Sequence, residues 1–232
     1  VTEGSRQRPA PRRSPLLSIP SHWIVAVAAL WVAVFIVGFV AKVAPSLRAA
    51  QLGVDRALND MHTPLLDRVA LLFDGLDKVP VVALYIVVLL VVGGLLYGWL
   101  RAFGAAIAAG AGWLLCLIPK EVVHEIRPPV DSVSHVLHAG RSTLSYPSGH
   151  VVFAVAFSVA VLFLVRGTML RVLLGIAGTA FVVVAAWARL YVAAHFPTDV
   201  VGSVLAGIGG ALLVAGLWNV VVARALRPRS RA

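Results

Sequence analysis

Eight residues in three polar clusters could hold an anion or move a proton, seven through side chains and Gly149 through its backbone. The first cluster, Lys120-Glu121-Val122-Val123-His124-Glu125-Ile126-Arg127-Pro128, supplies Lys120 and Arg127. The second, Tyr146-Pro147-Ser148-Gly149-His150, is a small-residue turn heading an apolar run from Val151 to Val165. The third runs from Arg189 to Asp199 and includes His195. A turn that opens a helix presents backbone N–H groups and the positive end of the helix dipole, which together favour an anion. His150 at its rim adds a group that exchanges a proton near neutral pH. Three cations beside such a nest suit a multiply charged oxyanion. Guanidinium forks match phosphate geometry, and the charges would offset negative charge growing on a transferring phosphoryl group. Taken singly, Lys120 and Arg127 read as interfacial anchors, and the Ser148-Gly149 turn as a helix cap.

His195 and Asp199 stand four apart, with Pro197 between them. Proline fits the first position of a helix and not its interior, so a helix is expected to start at Pro197 with Asp199 as its third residue. From there the carboxylate reaches back, as in a capping box, toward one nitrogen of His195. That fixes the tautomer and leaves the other nitrogen as a nucleophile. An aspartate that merely complements the helix dipole is the plainer reading of the same position.

The elements that must carry these clusters are membrane helices. Of 232 residues, 60% are hydrophobic and 13% charged, and the mean hydropathy is +0.93; soluble domains are about half apolar. Six apolar runs are legible: Trp23 to Ala44, Val79 to Leu100, Ala102 to Pro119, Ser148 to Val165, Val172 to Ala188, and one within Pro197 to Val222. Between the first two, Pro45 to Lys78 carries Asp55, Asp60, Asp67, Asp74 and Asp77 among apolar residues. It reads as two short amphipathic helices on the membrane surface, broken at His62-Thr63-Pro64 and with a solvated acidic face. The fold class is therefore all-α, a polytopic six-transmembrane-helix bundle with short amphipathic helices in the first outer loop.

The formal net charge of +10 is concentrated at the two ends, in Arg6, Arg8, Arg12 and Arg13, and in Arg224, Arg227, Arg229 and Arg231. Beside membrane spans this points to cytoplasmic ends and anionic lipid, not to nucleic acid. Residues 1–21 read as a disordered basic tail, 22–222 as the membrane domain and 223–232 as a second basic tail. Arg101, Arg166 and Arg171 mark turns on the same side. Counting spans from there sets all three polar clusters together at the opposite, outer surface.

With the clusters brought together, the chain resembles the type 2 phosphatidic acid phosphatase family. That family's pattern is Lys, six residues, Arg-Pro; then Pro-Ser-Gly-His; then Ser-Arg, five residues, His, three residues, Asp. Lys120, Arg127 and Pro128 match the first motif, Pro147 to His150 the second, and Arg189, His195 and Asp199 the third. The one departure is Ala188 in place of the family serine, which removes a hydroxyl beside Arg189. The resemblance implies that His195 attacks phosphorus to form a phosphohistidine and that Asp199 orients it. It implies that His150 protonates the leaving oxygen and then activates water. Lys120, Arg127, Ser148, Gly149 and Arg189 are expected to hold the phosphoryl oxygens, with no metal and no cofactor.

The expected substrate is a lipid phosphate in the bacterial plasma membrane. A polyprenyl diphosphate such as undecaprenyl diphosphate, in carrier-lipid recycling, comes first; phosphatidylglycerophosphate or phosphatidic acid is the alternative. A lipid transporter predicts polar residues at mid-membrane, which the apolar runs lack. A non-catalytic lipid-binding protein has no need of His150, His195 and Asp199 together. The partners expected are the lipid substrate and membrane lipids; the sequence sets no oligomeric state. His124, His135 and His138 are read as loop histidines and not a zinc site, since no cysteine or well-spaced carboxylate completes them. Glu121 and Glu125 are candidates to pair with the cluster cations, Arg141 and Tyr146 to touch a headgroup, and Cys116 is a buried free thiol.

Overall fold

The structure, a computed structural model, describes residues 14–137 and 143–226. The arginines of the outer parts of both tails, together with His138 and Arg141, lie outside the described residues. The helices are α1 (Trp23–Val43), α2 (Pro45–Asn59), α3 (Pro64–Phe73), α4 (Val79–Tyr97), α5 (Trp99–Leu114), α6 (Leu117–Val123), α7 (Gly149–Leu164), α8 (Thr168–Tyr191) and α9 (Pro197–Ala225). Five helical stretches are long and apolar enough to cross a membrane: α1, α4, α5 with α6 (Trp99–Val123), α8 and α9. The sixth apolar helix, α7, has only 16 residues.

Helices α5, α7 and α9 pack against one another at the centre, α1 lies on α9, α4 on α5, and α8 on α7. The central helices approach closely because their contact faces are small. At the α5–α9 crossing, a Cβ on Gly210 would stand 2.5 Å from the Gly112 carbonyl oxygen, and one on Gly112 would stand 2.8 Å from the Ala211 nitrogen. Backbone cannot yield there, so only glycine fits.

Several boundaries differ from the sequence expectation. The turn between α4 and α5 is made by Gly98 at φ +95°, where a side chain is strained. Arg101 therefore lies inside α5 and is buried. Its guanidinium donates to the carbonyls of Leu164 (2.7 Å), Phe163 (2.7 Å) and Leu16, and to the Ser18 hydroxyl (2.9 Å). Leu17 is buried, and its backbone exchanges two hydrogen bonds with the Asn219 amide, at 2.8 and 2.9 Å. Residues 14–18, expected within a disordered tail, are thus tied to the bundle. Helix α8 starts at Thr168 after Gly167 at φ +93°, and it continues past Ala188 to Tyr191.

At the other end, α2 and α3 form the amphipathic pair, and both lie against α8. Thr63 caps α3, its hydroxyl accepting from the Leu66 N–H at 3.3 Å, and Pro64 follows at the first helical position. The expected solvated acidic face is not what forms. Asp55 is fully buried, and Asp74 and Asp77 turn toward the bundle.

Candidate active site

The three clusters meet at the end of the bundle that carries α2 and α3. The first is held by backbone pairing. Ile126 bridges Leu144, Arg127 N–H donates to Thr143 O (3.2 Å), and Ser145 N–H donates to Glu125 O (2.8 Å). Lys42 of α1 donates to Val123 O at 2.6 Å, and Arg48 of α2 pairs with the buried Glu125. Glu125 therefore serves Arg48 and not the cluster cations. Lys120 sits within α6, which runs on to Val123, and its ammonium donates to Pro147 O at 2.8 Å. Arg127 donates to Ala194 O at 2.9 Å, joining the first cluster to the third.

The second cluster is fixed from both sides. Tyr146 is fully buried, with its hydroxyl on Val34 O of α1 at 2.5 Å. A Cβ on Gly202 of α9 would stand 2.2 Å from that hydroxyl, so the ring fills the space a side chain would take. Tyr146 is thus a wedge between α1 and α9 and no headgroup contact. Ser148 stands at the N-cap position of α7 without a side-chain cap hydrogen bond, and its N–H donates to Ser203 Oγ of α9 at 2.8 Å. Gly149 and His150 open the helix.

In the third cluster the chain leaves α8 through Ala193, whose φ of +49° reverses its direction. His195 is 1% exposed. Its Nδ1 stands 3.4 Å from Asp199 Oδ2, at ion-pair distance and longer than a hydrogen bond. Asp199 is the third residue of α9; its Oδ2 accepts the Phe196 N–H at 2.8 Å and the Ser145 hydroxyl. The reach-back is half of a capping box, because Phe196 has no side-chain acceptor. Burial holds the His195 imidazole well below its ordinary pKa, and the charges of Arg127, Lys120, His150 and Arg189 act the same way. These influences favour the uncharged ring. Among its buried polar atoms without a protein hydrogen-bond partner are Ser148 Oγ, His150 Nδ1, both His195 nitrogens, Asp199 Oδ1 and Arg189 Nε. Such a concentration marks a ligand seat, since buried polar groups are otherwise paired.

Sequence reasoning missed the two aspartates that face this seat. Asp74 Oδ1 accepts from Arg189 Nη1 at 2.8 Å, and Arg189 Nη2 donates to Ala70 O at 3.2 Å. Asp77 Oδ1 lies 3.0 Å from His150 Nε2, which is also 3.1 Å from Asp74 O. Burial pushes the Asp77 carboxyl above its ordinary range, opposed by Arg189, Arg127 and Lys120. The signal in the sequence was positional: Asp74 and Asp77 end the amphipathic stretch directly before the second span, at the surface where span counting set the clusters.

A helical membrane bundle that gathers the buried Arg189, the half-buried Lys120 and Arg127, a helix N-terminus and two histidines at one end is a membrane protein with a polar candidate site. Residues 99–222 match the family model described as the PAP2 superfamily. The chain belongs to that superfamily. It is 32% identical over 96 residues to a putative undecaprenyl-diphosphatase, YbjG, of Escherichia coli K12. That match covers 40% of this chain and 44% of the relative, so less than half of the relative's length is spanned. The fold resembles the crystal structure of a transmembrane PAP2-type phosphatidylglycerolphosphate phosphatase from Bacillus subtilis. The TM-score is 0.67 and the identity 21%, covering 88% of this chain and 99% of that one.

Proposed function

We propose that this protein is a membrane lipid phosphatase that hydrolyses polyprenyl diphosphate, such as undecaprenyl diphosphate, to the monophosphate and orthophosphate. The observation that carries the reading is the buried His195, with Asp199 3.4 Å from its Nδ1, set among Lys120, Arg127, Arg189 and His150. His195 Nε2 attacks the terminal phosphorus while the bond to the bridging oxygen breaks. His150 gives that oxygen its proton, and the lipid monophosphate departs. Asp199 holds the Nδ1 side of the phosphohistidine. Water then attacks phosphorus and passes its proton to His150, and the N–P bond breaks to release orthophosphate. Lys120, Arg127, Arg189, the Ser148 hydroxyl and the Gly149 N–H neutralise charge on the phosphoryl oxygens, so the residues supply the chemistry without a metal.

An apolar groove supports a lipid substrate. Two cavities of about 250 and 360 Å³ share Tyr85 and Phe181 and run between α4 and α8 from Leu76 toward Leu174. A tail lying there leaves its phosphate near Asp74 and Asp77. Arg101, Arg166 and Arg171 at the opposite end favour that end as cytoplasmic, and the site then faces outward in a bacterial plasma membrane. Similarity to a protein named for undecaprenyl diphosphate supports the first substrate. The name of the structural neighbour keeps phosphatidylglycerophosphate as the second reading.

The test is phosphate release by purified protein from each lipid, with His195→Ala and His150→Ala beside it. Faster release from undecaprenyl diphosphate and a loss of at least about 10³-fold in His195→Ala are expected. Full activity in His195→Ala overturns the nucleophile, and preference for phosphatidylglycerophosphate overturns the substrate.

A further inference from the structure

Three metal-ligand residues meet outside the phosphate site. His62 lies in the turn between α2 and α3, Asp67 in the first turn of α3, and His135 in the segment after α6. One ligand atom from each lies within 4.8 Å of the others. His135 Nε2 stands 3.1 Å from Asp67 Oδ2, and the two imidazoles stack with centroids 4.1 Å apart and planes 10° apart. The carboxylate that pairs with His135 thus comes from α3, 68 positions earlier.

The surroundings hold these groups in place. The fully buried Asn59 grips the His135 backbone on both sides, donating to His135 O at 2.8 Å and accepting from His135 N at 2.9 Å. The same amide donates to Tyr191 O at 3.1 Å. The Tyr191 hydroxyl donates to Asp67 Oδ1 at 2.5 Å, leaving Oδ2 turned to the histidines. A hydrogen bond of this kind to a carboxylate is the usual outer support of a metal ligand. His62 is exposed, so the cluster is reachable from water.

We propose that His62, Asp67 and His135 bind one zinc ion, with water at a fourth position. Two imidazoles and a carboxylate match zinc, and are too rich in nitrogen for calcium or magnesium. Closure to bonds of about 2.0 Å needs ligand atoms roughly 3.3 Å apart, a small contraction that the exposed His62 side chain supplies by rotation. The ion staples the helix pair to the segment after α6. Through Tyr191 it also bears on the end of α8 that carries Arg189. None of the residues of the phosphate site takes part, so the site stands independently of the proposed reaction.

The test is zinc binding by the full chain, purified in detergent and stripped with a chelator, then titrated against a chromophoric zinc indicator and by thermal unfolding. One zinc per chain and a rise in Tm of several degrees are expected. His62→Ala and His135→Gln should each weaken binding at least about tenfold and abolish the rise, and Tyr191→Phe should weaken it about tenfold. His124→Ala, outside the cluster, should bind as the unaltered protein does. Equal Tm values without zinc show that His62→Ala still folds. Zinc binding unchanged in both histidine variants, or absent from the unaltered protein at micromolar zinc, overturns the proposal.

Discussion

Asp77 Oδ1 and His150 Nε2 are 3.0 Å apart, so a carboxylate from the turn before α4 stands against the histidine that opens α7. The same carboxylate feels Arg189, Arg127 and Lys120. It takes the position of a negative group among the cations, and a phosphate entering the seat meets a like charge. Asp77→Asn is therefore expected to tighten inhibition by orthophosphate about fivefold, equivalent to ~1 kcal/mol at a partly exposed position. Inhibition constants from steady-state kinetics check this. Weaker inhibition would mean that Asp77 assists phosphate binding.

Ser145 carries no reactive group toward the substrate, yet its hydroxyl donates to Asp199 Oδ2. Removing a hydrogen bond to a charged group costs about 1.5–3 kcal/mol. Asp199 is expected to lose its alignment with His195, so Ser145→Ala should lower kcat at least about tenfold while KM moves less than about twofold. A change confined to KM would place Ser145 in substrate binding instead.

Asp55 is fully buried in α2, and neither carboxylate oxygen has a hydrogen-bond partner. Burial, and then the charge of Asp199, push its carboxyl up from 3.8 to about 8. Between those values the folded chain holds a proton that the unfolded chain has released, so this residue makes stability fall as pH rises through that window. Asp55→Asn should remove that slope and raise Tm near pH 8. Thermal unfolding from pH 5 to 9 checks it, and identical slopes in both proteins refute it.

Arg101 ties residues 16 and 18 to the end of α7 through four partners. Arg101→Ala should free the segment around Leu17, making it cleavable by a protease that leaves the unaltered protein intact. The substitution should also destabilise the bundle by a few kcal/mol, since buried carbonyls lose their donors. Limited proteolysis in detergent, with fragment masses, reads the first effect, and protection equal to that of the unaltered protein rules it out.

The bundle was legible because membrane spans are written locally, as apolar runs of sufficient length. The reach of Asp199 back to Phe196 was legible too, because proline fixes where α9 starts. What escaped depends on contacts distant in sequence. Asp55, Asp74 and Asp77 read as a solvated face, but Arg189 of α8 faces Asp74, His150 of α7 faces Asp77, and Asp55 is buried without a hydrogen-bond partner. Tyr146 read as a headgroup contact because nothing local announces the hole above Gly202. Arg101 read as a turn residue because a charge beside a span normally faces water. Here backbone carbonyls of α7 and Leu16 satisfy it inside.

Helix α7, with 16 residues, is about 24 Å long, against a hydrocarbon layer of ~30 Å. It is packed among α5, α8 and α9. By itself the helix falls ~6 Å short of a full crossing, and Gly149 and His150 stand at its first turn. A long-chain phosphate bound there is then lifted less far toward the solvent. Each methylene drawn out of the hydrocarbon costs about 0.8 kcal/mol, so a site set at the start of a short helix spares the proposed lipid substrate part of that extraction.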